Sequence, residues 1–123
     1  MPSTSIKSFS NYVPATYTFS NLQSGHTKTV TLGKFDTAGS SMDIPYCNNE
    51  GDWKDGKYIT VTLGNTIVYY IWQHKDSDGD YDRYSTTGYV SGAAPHLPGE
   101  PSSGGDKGLA VMTDGSLLMT TYS

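Results

Sequence analysis

The sequence predicts an all-β protein: a compact antiparallel β-sandwich of short strands and hairpins, with a small β-barrel as the alternative. Three observations predict it. Thr and Tyr are abundant while Ala, Leu, Glu and Arg are scarce, a composition that suits pleated, half-buried surfaces better than helices. Turn signals recur roughly every 8–15 residues, the spacing of sandwiches and barrels. No stretch carries a helical period, and no fixed-period repeat is visible. The 123 residues make one β domain, 1–123, long enough to bury a core without staples.

Tyr12 to Phe19 and Thr27 to Phe35 read as strands, with Val30 and Leu32 facing inward and Gly33 a bulge or twist point. Tyr58 to Leu63 alternates, and Gly64-Asn65 then supplies a two-residue hairpin turn. That loop sets Leu63 opposite Thr66, Val61 opposite Val68 and Ile59 opposite Tyr70. One face then collects Ile59, Val61, Leu63, Val68, Tyr70 and Trp72, and the other Ile67, Tyr69 and Ile71. Apolar on both faces, Thr66 to Gln73 is expected to be the central strand. The next turn falls on Asp78-Gly79, facing Lys75 with Asp82, His74 with Arg83 and Gln73 with Tyr84. Ser91 to Gly108 holds three Pro and five Gly, which marks a long irregular loop of the kind that often carries function. Leu109 to Thr113 and Ser116 to Thr120 close the chain as a hairpin through Asp114-Gly115. Val111 then faces Leu118, Met112 faces Leu117, and the hairpin belongs near the centre of its sheet.

The net charge is −4, with eight Lys and Arg spread thinly. No basic cluster exists to neutralise phosphates, so nucleic acid is not an expected partner. Charge-driven binding to an anionic membrane is disfavoured for the same reason. No apolar run approaches transmembrane length. The start, Met1-Pro-Ser-Thr-Ser-Ile-Lys7, lacks the apolar stretch of a signal peptide, and the lone Cys47 cannot form an internal disulfide. A cytoplasmic protein, or one secreted by an unconventional route, fits these features; a chain relieved of its signal would read the same way.

Asp76, Asp78, Asp80 and Asp82 alternate along one hairpin with Gly79 among them, a pattern of oxygen ligands that suits Ca²⁺. An EF-hand is excluded, because Tyr81 stands where its loop needs Gly and Thr87 where it needs Glu. Two readings stay open: a Ca²⁺ site at the hairpin tip, or a solvated turn whose charge Lys75 and Arg83 relieve. No other cofactor is indicated. His26, His74 and His96 have no ligand spacing, and the Gly99 to Lys107 stretch lacks the ending of a phosphate-binding loop. No motif marks a nucleophile, Cys47 included, so no catalytic residue is assigned and no enzymatic activity is expected.

The coherent functional signal is a set of aromatic and short polar side chains. Sugars are held by an aromatic ring against the apolar face of a pyranose and by polar groups on its hydroxyls. Trp53 is the candidate platform, with Asn48, Asn49 and Asp52 as hydrogen-bond partners and Tyr46 beside them; Tyr81 and Tyr84 with the hairpin acids form a second patch. Packing in an antiparallel sheet would account for the same rings. The expectation is a non-catalytic, lectin-like carbohydrate-binding protein, with glycans or glycoconjugates as partners and sites multiplied by homo-oligomerisation. With no signal peptide, disulfide or glycosylation sequon, the chain resembles the non-classically located lectins of fungi as a class. Two rivals are a pore-forming cytolysin inserting Tyr69, Tyr70 and Trp72 into lipid, and a protease-inhibitor-like domain acting through the Ser91 to Gly108 loop.

Overall fold

The computed structural model describes residues 4–25, 27–76, 79–89 and 94–122, with the backbone alone for Asp76. His26 and Asp78 therefore lie outside the described residues. The strands are β1 (Thr4–Asn11), β2 (Tyr17–Asn21), β3 (Lys28–Leu32), β4 (Thr37–Asp43), β5 (Ile59–Leu63), β6 (Thr66–Asp76), β7 (Gly79–Ser85), β8 (Gly105–Val111) and β9 (Leu117–Thr121), with one short helix, α1 (Glu50–Lys54). They form two sheets, ordered β4-β1-β8-β9 and β3-β2-β5-β6-β7. The sheets pack face to face as the expected sandwich and do not close into a barrel. Every named pairing is antiparallel except β1 with β8, which run parallel.

The core lies between the sheets. Ile6, Phe9, Leu109, Val111, Leu117 and Met119 from one sheet meet Tyr17, Phe19, Leu32, Ile59, Val61 and Ile71 from the other. The Phe9 and Phe19 rings touch across it at 4.8 Å between centroids. Val30 and Leu32 face inward as the alternation requires. Two strands escape the sequence pattern. In β1 a register shift between Ile6 and Ser8 lets Ile6 and Phe9 both face inward although they are three residues apart. In β4 only Met42 is buried.

Several expected elements are displaced. The strand expected from Tyr12 begins at Tyr17, because the Asn11 side chain accepts from the Val13 N–H and donates to the Ala15 carbonyl, folding 12–16 into a turn. Gly33 ends β3 rather than kinking it. The Gly64-Asn65 turn forms as expected, with Gly64 at φ 62° and Leu63 opposite Thr66, but a bulge follows at once. Beyond it Val61 faces Tyr69, Thr60 faces Tyr70 and Ile59 faces Ile71. One extra residue reverses the facing of everything after it. Ile59 and Val61 thus share the core with Tyr69 and Ile71, while Tyr70 and Trp72 point to the opposite face.

The β6–β7 pairing is offset by two residues from the one an Asp78-Gly79 turn would set. Gly79 pairs with Asp76, Lys75 with Asp80, His74 with Tyr81, and Gln73 with Asp82. The last hairpin is offset by one, with Val111 opposite Leu117 and Ala110 opposite Leu118, so its inner face is consistently apolar. There β8 is internal and β9 is an edge. The expected Ser91 to Gly108 loop contains the start of β8, and its preceding residues are bonded along both sheets. Tyr84 N–H and Leu97 N–H bond Pro95 O and Asp82 O beside β7, and Met119 N–H and Glu100 N–H bond Pro98 O and Met119 O beside β9. Gly99 is required at that seam: it has φ +99°, and a Cβ would stand 2.1 Å from Met119 O.

Gln73 links the two sheets. It is fully buried; its N–H donates to Pro45 O at 2.8 Å and its carbonyl accepts from Cys47 N–H at 2.9 Å. Its side chain accepts from Thr4 Oγ1 at 3.0 Å and donates to Ile44 O. Truncation leaves buried donors and acceptors without partners. Gln73→Ala is therefore expected to lower unfolding free energy by roughly 2–4 kcal/mol, read as a shift of the urea midpoint at constant slope.

Candidate functional site

The bulge that turns Tyr70 and Trp72 outward builds the main aromatic surface of the molecule. Tyr58, just before β5, lies on the same face. The chain then supplies a fourth ring from α1. Asn49 caps that helix: its Oδ1 accepts from Asp52 N–H at 2.8 Å, and Asp52 Oδ2 accepts from Asn48 N–H at 3.0 Å. Five residues are too few to leave a helical period, so the sequence showed only an irregular stretch here. The cap fixes Trp53 over the sheet. Its ring stacks on Tyr58 at 4.0 Å with 13° between planes, lies 5.4 Å from Tyr70 and 5.5 Å from Tyr89, and meets Trp72 edge-on at 5.4 Å. Trp72 is buried beneath the patch with Cys47 and Ala94, whereas Trp53, Tyr58, Tyr70 and Tyr89 are half-buried. Tyr46 and Tyr69 donate their hydroxyls to Asp80 and Gly115 O; those of Tyr58, Tyr70 and Tyr89 have no protein partner among the described residues.

The residues singled out from sequence do not all converge here. Trp53, Asn48, Asn49 and Asp52 come together at α1, but much of their polar capacity is used locally. Asn48 Oδ1 accepts from Lys75 N–H at 2.8 Å, and Lys57 Nζ reaches Asp52 Oδ1 at 3.3 Å. Tyr81 stands further along the same outer face, stacked on His96 at 4.3 Å. Tyr84 is on the other side of its sheet, edge-on to Tyr69 and packed against the core. Tyr46 belongs to a polar end of the sandwich interior, where its hydroxyl donates to Asp80 at 2.8 Å. Tyr58 was not singled out from sequence, and Tyr70 was considered only for insertion into lipid.

The acidic hairpin divides similarly. Asp78 and the Asp76 side chain lie outside the described residues. Asp80 holds Tyr46, and Asp82 is fully buried opposite Gln73. Among the described residues no group of three or more His, Cys, Asp or Glu side chains comes together as a cation site. Asp82 accepts from Ser103 Oγ at 3.4 Å, while its Oδ2 has no partner among the described residues. Burial pushes its carboxyl up to about 7, against the opposing pull of the Lys107 charge and of Ser103 and Thr4. No family model, curated protein or solved structure matches the chain.

Two expectations follow from these buried groups. Between about pH 4, where an unfolded Asp ionises, and pH 7, where the buried Asp82 does, the unfolded chain loses a proton that the native chain keeps. Asp82 therefore makes the native state less stable as pH rises through that window and has no further effect above it. Asp82→Asn should remove this slope, raising the melting temperature at pH 8 with little change at pH 4. Burial likewise pushes the Cys47 thiol up to about 11, and the thiolate is the reactive form. Cys47 should resist iodoacetamide at pH 8 in native buffer and react fully in guanidinium, as read by intact mass.

Proposed function

We propose that this protein binds carbohydrate without catalysis, through the patch of Trp53, Tyr58, Tyr70 and Tyr89. One observation carries the reading: four half-buried rings share one outer sheet face, and three carry hydroxyls with no protein partner among the described residues. Apolar ring faces beside unspent phenols suit a ligand that alternates C–H faces with hydroxyls, as a pyranose does. The amide groups of exposed Asn48 and Asn49 stand at the α1 edge of the patch to extend that polar rim.

The two rival readings draw less support. Of the rings considered for lipid insertion, Trp72 is fully buried and Tyr69 turns between the sheets with its hydroxyl on Gly115 O at 2.7 Å. The residues before β8 are bonded along β7 and β9, which leaves that backbone little freedom to present itself to a protease. No described helix is long and apolar enough to cross a membrane.

A glycan array probed with and without EDTA tests the proposal. Neutral glycans are expected to bind in both conditions, and Trp53→Ala to weaken binding at least tenfold, about 1.4 kcal/mol. A Tyr58→Phe/Tyr70→Phe/Tyr89→Phe variant keeps the rings and separates loss of hydroxyls from loss of packing. Absence of binding in both conditions sinks the reading, and loss in EDTA alone transfers it to a metal-dependent site.

A further inference from the structure

The outer face of the other sheet carries a groove of about 350 Å³ lined by β1, β8 and β9. Its floor follows from register. Ser8, Gly108 and Thr120 stand in one row across the three strands, and Ser10, Ala110 and Leu118 in the next. Small side chains on the two inner strands leave the sheet surface concave between taller neighbours. Tyr12 stands at one end, where its N–H bonds Val111 O, and Tyr122 at the other, where its N–H bonds Asp106 O. Asp106 and Val111 are five residues apart on β8, so the ends are separated by roughly 17 Å at strand rise. That is the length of a short oligosaccharide rather than of a single ring. The two tyrosines are 49% and 47% exposed, against a sheet whose inward rings are buried.

The lining defines the ligand's chemistry. Six of its eleven residues carry a hydroxyl and none is charged, in a chain of net charge −4. None of those six hydroxyls has a protein hydrogen-bond partner among the described residues. A charged ligand would find no counter-ion here, and the apolar surface of Ala110, Met112 and Leu118 lying among the hydroxyls suits a ligand that alternates C–H faces with hydroxyls. We propose that this groove is a binding site for a neutral oligosaccharide, with Tyr12 and Tyr122 as stacking platforms at its ends and Ser8, Ser10 and Thr120 as hydrogen-bonding groups between them. The site stands on its own lining and does not depend on the Trp53 patch, from which the whole sandwich separates it.

The test is amide shift mapping of the ¹⁵N-labelled full chain titrated with maltotriose, cellotriose, mannotriose and triacetylchitotriose, and separately with dodecyl maltoside below its micelle concentration. The expected result is saturable shifts at Gly108, Ala110, Leu118 and Thr120 with at least one trisaccharide. Binding should weaken at least tenfold in Tyr12→Ala/Tyr122→Ala and several-fold in Ser10→Ala, which removes a hydroxyl but no packing. Shifts confined to the Trp53 patch would overturn the groove while leaving that other reading intact. Shifts nowhere with any trisaccharide would overturn the groove, the array deciding separately on the patch. Groove shifts with dodecyl maltoside alone would replace the saccharide with an acyl ligand.

Discussion

Gln73 is the residue on which the rest of the arrangement depends. A strand in the middle of a sheet has its backbone groups satisfied by two neighbours, and β6 loses one of them where β5 ends at Ile59. The chain leaving β4 takes the vacant place, and Pro45 and Cys47 bond Gln73 on both sides of Tyr46. The side-chain amide then extends the same function into the interior, reaching Thr4 of the opposite sheet and Ile44 of the crossing segment. Gly104 N–H donates to the same Thr4 Oγ1, so the start of β1, the exit of β4 and the entry to β8 all converge on one buried amide. A neutral amide suits this place: it donates and accepts at once without the desolvation cost of a charge. That convergence also places Cys47 and α1, and hence Trp53, over the outward face of β6.

The aromatic face depends equally on a single irregularity. Without the bulge after Val61, Tyr70 and Trp72 would point into the sandwich and Tyr69 and Ile71 out of it. The bulge converts a strand with apolar side chains on both faces into two separate packing surfaces, one for the main core and one for a smaller cluster beneath α1. Asp82 illustrates the cost of the polar end of that interior. Its carboxyl sits where the apolar core gives way to Gln73, Tyr46 and Asp80, deep enough that burial outweighs the nearby lysine.

The sequence made legible what depends on local chemistry. Gly64-Asn65 demanded a turn and formed one, Val30 and Leu32 alternated into the core, and β6, apolar on both faces, was internal to its sheet, although β5 and not β6 is the middle strand. That same property hid its register. In Ile67-Val68-Tyr69-Tyr70-Ile71-Trp72 either choice of face buries apolar groups, so the pattern cannot reveal a one-residue slip. The β1 strand was missed because its bulge breaks the alternation of Ile6 and Phe9, and β4 because an edge strand of Thr, Gly and Ser buries little. Trp53 and its capping residues stood out by type, but the rings around it became neighbours only through the register. The groove on the opposite sheet was wholly illegible, since Ser8 and Gly108 meet across a hundred residues of chain.

The seam of residues 95–103 has a further consequence for how the molecule can associate. A sheet edge with unpaired backbone groups is a template for another chain, and growth into a fibre needs a free edge on two sides. Here β7 and β9, the edges on one side, are already bonded by that seam. The remaining edges, β3 and β4, are short and hydroxyl-rich, and Lys28 of β3 donates across to Ser41 O of β4 at 2.8 Å. Strand addition is thereby limited to one flank guarded by a lysine. Among the described residues, the opposite flank offers no equally open edge to carry growth onward.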